Sequence, residues 1–185
     1  AAEFGAKGGG SALVEQYAKP HFSAITHLDR AGQPTPLLGA VQTLPPLGNT
    51  AREQLAKNVP VVLTTSAGGA QPKVILIRAT DSTAANPGVL LAELSASRLW
   101  QNRGGFADTA DFCALDGNQS MLYCSTPQAD LSGFASQPLA NAFGELQWRS
   151  GNDNTLGGYS RLSLQPRFHA ADWIILASQP RPAAV

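Results

Sequence analysis

The chain has 185 residues, 43% of them hydrophobic and 14% charged, and its 13 basic and 13 acidic side chains cancel. Charge well below the roughly one quarter usual in soluble domains leaves no basic stripe to displace counterions from nucleic-acid phosphates and no polybasic patch for an anionic membrane surface. The apolar content suffices for one core or two small ones, and no apolar run is long enough to span a bilayer.

Residues 1–10, AAEFGAKGGG, carry no apolar period and read as a flexible linker or cloning scar. From Ser11 to His21 the pattern predicts a short helix, with Leu13, Val14 and Tyr17 on one side and Pro20 ending it. Phe22 to Asp29 reads as a strand, and Pro34 to Ala40 as a second whose prolines place it at a sheet edge. Pro45, Pro46 and Gly48 mark a loop before a helix over NTAREQLAKN, capped by Asn49 or Thr50 with Glu53 just inside. Three strands follow, PVVLTTSA, PKVILIRATD and VLLAELS, separated by a Gly68-Gly69 turn and a loop at Asn86-Pro87-Gly88. SASRLWQN is a helical turn anchored by Leu99 and Trp100. Asp111 to Asp116 and Met121 to Ser125 form a hairpin, Gln128 to Phe143 is helix and loop, and Gly144 to Ser150 is a strand. After a GNDN turn, the last two strands run from Leu156 to Arg167 and from Asp172 to Gln179.

The order strand, strand, helix, strand, strand, strand therefore occurs twice. Its openings are FSAITHLDRAGQPTPLLG from Phe22 and DFCALDGNQSMLYCSTP from Asp111, each an apolar run ending in Leu-Asp, a polar turn with Gly, and a second apolar run. The implied fold class is α+β, two tandem lobes at 11–95 and 96–181, each a five-stranded antiparallel sheet holding a helix or long loop against one face, with 182–185 as a tail. Asp29 and Asp116 stand at matching positions before the two turns, where carboxylates accept backbone N–H bonds.

Cys113 and Cys124 lie on the two arms of the second hairpin. If Asp116 pairs with Met121, the two face each other at a separation a disulfide can close, which would indicate an oxidising compartment. Two reduced core cysteines are the alternative, and half a metal site lacks a nearby His or further Cys. Candidate ligand-binding residues are polar groups set in apolar strands: Arg78 in VILIRATD, Asp81 three residues on, and Tyr123, Trp148 and Tyr159 in the second lobe, with Arg149 beside them. Solvent for Arg78 and an aromatic core for the others are the competing assignments. His21, His27 and His169 are too separated for a metal motif, and no nucleophile elbow, Walker sequence or dinucleotide fingerprint occurs. Neither a catalytic set nor a cofactor is expected.

LDRAG, REQLAKNVPVVLTT, LLAELSASRLW, DFCALDGNQSMLYCS and RLSLQPRFHAADWIILASQPR resemble the extracytoplasmic double Cache sensor regions of bacterial membrane signalling proteins. The resemblance runs from Ser11 to Arg181 and is greatest to regions attached to diguanylate cyclase or cyclic-di-GMP phosphodiesterase modules. It implies two PAS-like lobes, membrane-distal then membrane-proximal, preceded by the end of a truncated N-terminal helix. It further implies a periplasmic portion excised from an inner-membrane protein, the parent a homodimer along its N-terminal helices and the excised portion a monomer. The Arg-x-Trp phrase with which family members grip amino acids does not precede the first lobe. The expected partner is thus an unidentified small molecule or a periplasmic protein, and the alternative function is a non-catalytic interaction or structural domain without a small-molecule ligand.

Overall fold

The computed structural model describes residues 14–39, 41, 46–65, 72–80, 88–100, 110–126, 129–151, 153–165 and 167–180. They divide into two compact units, the first drawn from 1–68, 73–102 and 167–170, the second from 69–72, 103–166 and 171–185.

The first unit contains strands β1 (Phe22–Leu28), β2 (Pro34–Leu38), β3 (Val61–Thr65), β4 (Lys73–Ala79) and β5 (Val89–Leu94), with helices α1 (Asn49–Ala56) and α2 (Ala96–Trp100). The strands pair antiparallel in the order β2-β1-β5-β4-β3. Alternation dictates the core face: Ala24, Val61, Ile75, Ile77, Val89 and Leu91 point inward. The helix α1 closes this face with Ala51 and Leu55, four residues apart on one side. The predicted helix before β1 is a single wide turn, Val14–Ala18, in which Lys19 N donates to Val14 O at 3.2 Å. Such a five-residue step is the π pattern, and Pro20 next in line cannot supply a further N–H.

The second unit repeats the plan with β6 (Asp111–Leu115), β7 (Met121–Cys124), a one-turn helix α3 (Ser132–Ala135), β8 (Phe143–Ser150), β9 (Asp153–Leu162) and β10 (Trp173–Pro180). Its order, β7-β6-β10-β9-β8, is the same permutation as in the first sheet. β9 starts earlier and stops sooner than the sequence suggests. Ser150 pairs with Asp153 across a two-residue turn in which Gly151 has φ +58°, which lengthens β9 at its start. At its other end the chain passes to the first unit, where His169 N donates to Pro60 O at 3.0 Å. Cys113, Leu115, Phe134, Trp148, Tyr159, Ile174 and Leu176 form the second core.

The opening turns of the two units are built identically. Asp29 Oδ1 accepts from Ala31 N at 2.9 Å and Gln33 N at 2.8 Å, and Asp116 Oδ1 accepts from Asn118 N at 2.9 Å and Ser120 N at 2.8 Å. The residue requiring positive φ is Gly32 in the first turn (80°) and Gln119 in the second (62°). Removing either carboxylate, as Asp29→Ala or Asp116→Ala, leaves two backbone donors without their acceptor. Each change is expected to lower stability by about 1–2 kcal/mol, read from urea midpoints at constant m-value.

Of the two states open to the cysteines, the structure holds the disulfide: Cys113 pairs with Cys124 across the sheet, Cα to Cα 4.1 Å. The register differs from the expected one at the turn. Met121 pairs with Leu115 rather than Asp116, and a bulge between Ala114 and Leu115 restores the cysteine pairing.

Asp130 caps α3. Its Oδ1 accepts from Ser132 Oγ at 2.7 Å and Ser132 N at 3.0 Å, and these bonds, with a smaller one from Gly151 N–H, hold its carboxyl below the ordinary aspartate pKa. A pKa depressed on folding gives a contribution present above the unfolded value, near 4, and lost as pH falls through the folded one. Asp130→Asn is therefore expected to flatten the melting-temperature profile below about pH 4, leaving the profile above it parallel to wild type.

Candidate functional site

At one end of the first core face three polar residues converge. Opposite Glu93, β1 carries an extra residue: Phe22 pairs with Leu94 and Ala24 with Glu93, so Ser23 is bulged out of register. The bulge aims Ser23 Oγ at Glu93 Oε1, 2.8 Å away. From the other side Lys73 Nζ reaches Glu93 Oε2 at 3.0 Å. The Glu93 side chain is only 12% exposed and Lys73 39%, so the pair lies at the rim of the core with the carboxylate inward. Gly39, at φ +52°, packs over this corner; a Cβ there would lie 2.9 Å from Ser23 O. Deeper in the face Thr26, itself buried, accepts from Val41 N at 3.4 Å.

The corner offers two lone-pair positions on the carboxylate and two ammonium protons on Lys73 beyond those used by described residues. An acceptor and a donor about 3 Å apart, beside an apolar wall of Ala24 and Ile75, suit a small molecule carrying both charges.

The residues singled out from the sequence fall elsewhere. Arg78 is exposed on β4, on the face away from the core, and makes no hydrogen bond or ion pair with a described residue. Asp81 lies outside the described residues. Tyr123 is half-buried on β7, its ring tilted against Phe112 at 6.3 Å. Trp148 and Tyr159 are brought together in the second core, where Tyr159 Oη donates to Asn141 O at 3.4 Å, while Arg149 points out to solvent. Ser23, Lys73 and Glu93 were not singled out, although Glu93 is the one acid inside the apolar run VLLAEL and carried a readable signal.

A groove of about 270 Å³ lies on the outward side of the second sheet, between Glu145, Leu156, Ala177 and Gln179 with Gly158 on its floor. Among the described residues no group of three or more His, Cys, Asp or Glu side chains could hold a metal ion, and no helix is long and apolar enough to cross a membrane.

The repeated β2-β1-β5-β4-β3 order defines a tandem PAS-like, or double Cache, fold. Solved structures share it: the ligand-binding domain of the amino-acid chemoreceptor PctB of Pseudomonas aeruginosa PAO1 in complex with L-Arg aligns with TM-score 0.65 and 14% identity over 94% of this chain and 80% of that one. The ligand-binding domain of the chemoreceptor CtaA of Pseudomonas fluorescens with L-isoleucine gives 0.61 and 14% over 92% and 74%. The periplasmic domain of RsbU from Chlamydia trachomatis gives 0.52 and 14% over 92% and 76%. No protein-family model matches the chain, and no curated protein does. At these identities the likeness is one of fold.

Proposed function

We propose that the chain is an extracytoplasmic sensory input domain that binds a small amino-bearing molecule at the Glu93 corner of its first unit and controls a cytoplasmic output. The observation that carries this reading is the carboxylate itself: an acid almost withdrawn from water, on the inner face of a PAS-like sheet, with each oxygen held by one partner among the described residues. The ligand's ammonium would donate to Glu93 and its acidic group would accept from Lys73. Two proteins of the same fold were solved with L-Arg and L-isoleucine bound, which supports a zwitterion as the class. Binding shifts the parent's output by the difference in affinity between its two helix arrangements. The resemblance of LLAELSASRLW and DWIILASQPR to regions attached to diguanylate cyclase or phosphodiesterase modules supports cyclic-di-GMP turnover as that output, in a homodimeric inner-membrane parent.

One observation favours the rival, an interaction domain without a small-molecule ligand. Ala51 and Leu55 of α1 fill the inner face against Ile75 and Ile77, so the core beside the corner is already packed. A thermal-shift panel of L-amino acids and primary amines separates the two. At least one compound is expected to raise the melting temperature by mass action, and Glu93→Gln is expected to weaken it at least about tenfold. A flat panel on the folded wild type would transfer the assignment to the rival.

A further inference from the structure

We propose that the Cys113–Cys124 disulfide is a redox switch on the edge strand β7 and not a staple that the fold requires. The two units provide an internal control. Counting back from Leu-Asp in each hairpin, Thr26 of β1 stands where Cys113 stands in β6, and Thr26 pairs with Pro36. The first hairpin thus keeps the same turn, the same place at the sheet edge and the same antiparallel pairing with no covalent bond across it.

Beyond the disulfide, the strand is tied to β6 at its far end, where Ser125 N donates to Phe112 O at 2.8 Å and Phe112 N to Ser125 Oγ at 2.9 Å, and its remaining length is short. β7 has four residues and one neighbour, its pairing with β6 is interrupted by the bulge, and only Leu122 on it is buried. The two sulfurs also differ in access, since Cys113 is fully buried and Cys124 half-buried. A reducing dithiol attacks at Cys124: its thiolate bonds to Cys124 Sγ, the Cys113–Cys124 bond breaks, and Cys113 leaves as a thiolate that takes up a proton. The second thiol of the reagent then displaces Cys124, leaving two protein thiols and one oxidised reagent, a transfer of two electrons and two protons. Because Cys113 leaves inside an apolar core, the exchange follows local opening of β7. Reduction frees the edge strand while β6, β10, β9 and β8 stay paired, which gives the second unit two folded states.

The test is reduction of the folded chain by dithiothreitol in native buffer and in urea below the unfolding transition. Thiols are counted by alkylation and mass spectrometry, and amide exchange is followed before and after. The expected result is complete reduction at a rate independent of urea, with exchange at 121–125 rising roughly tenfold or more and exchange in β8 to β10 unchanged. A reduction rate that climbs with urea in step with global unfolding would overturn the proposal. So would loss of the second unit's cooperative transition on reduction.

Discussion

Replacing Trp148 with alanine is expected to lower the stability of the second unit by about 3–5 kcal/mol. The ring is 6% exposed and meets Phe134, which is wholly buried, edge to face at 5.6 Å and 64°. Two glycines make its seat: a Cβ at Gly157 would lie 2.7 Å from Cη2 and Cζ3, and one at Gly133 would lie 2.9 Å from Cδ1. No real side chain tolerates such distances, so Gly157→Ala should by itself cost about 1–3 kcal/mol through overpacking. In the Trp148→Ala background the sign of Gly157→Ala reverses, because its methyl then enters space that the indole has left. A double-mutant cycle in urea, read from the midpoint, should show this recovery, and additivity of the two losses would contradict the described seat. Trp148→Phe should cost less than its lost area implies, because the indole Nε1 is buried without a protein acceptor among the described residues.

Removing the disulfide, as the double variant Cys113→Ala and Cys124→Ala, ranks next. The bond closes a sequence separation of 11 residues, for which the chain-entropy model gives about 2.8 kcal/mol of destabilisation. The effect acts chiefly on the unfolded chain, which becomes freer, so the m-value should rise as the midpoint falls. Two-state domains have about 5–15 kcal/mol in hand, and the variant should therefore fold and keep its second core. A midpoint unchanged from oxidised wild type would show that the disulfide adds nothing to the stability of the second unit.

Much of the architecture was legible because the repeat is local. The Leu-Asp turns announced themselves by composition, and the carboxylates of Asp29 and Asp116 do in the structure what their position before a Gly-containing turn implied. The core faces were not readable, because VILI and VLLA are continuous apolar runs in which only the sheet sets Ile75 and Ile77 beside Leu91. What the sequence could not express was register. The bulge that shifts Met121 onto Leu115, and the one that turns Ser23 toward Glu93, depend on how two separated strands slide together. The same limit hid the Glu93 corner. Arg78 was conspicuous as a long cation in an apolar strand, but strand parity sends it to solvent, while Glu93, equally isolated in VLLAEL, has the inward parity and two partners brought from distant strands. The aromatic set of the second unit was visible as residues, and the glycines opposite Trp148 that decide its burial were not.

The prolines of β2 bear on behaviour at high concentration. Pro34 and Pro36 lie in a five-residue strand at the margin of the first sheet, and each lacks the N–H with which an incoming strand would register. That margin is therefore a poor template for strand addition, and β-type aggregation of the chain should not nucleate there. The eight residues of β8 at the margin of the second sheet contain no proline. The other margin of the first sheet, β3, is VVLTT and equally free of proline, so fibrils or swapped oligomers, if they form, should recruit β3 and β8 and leave β2 unpaired.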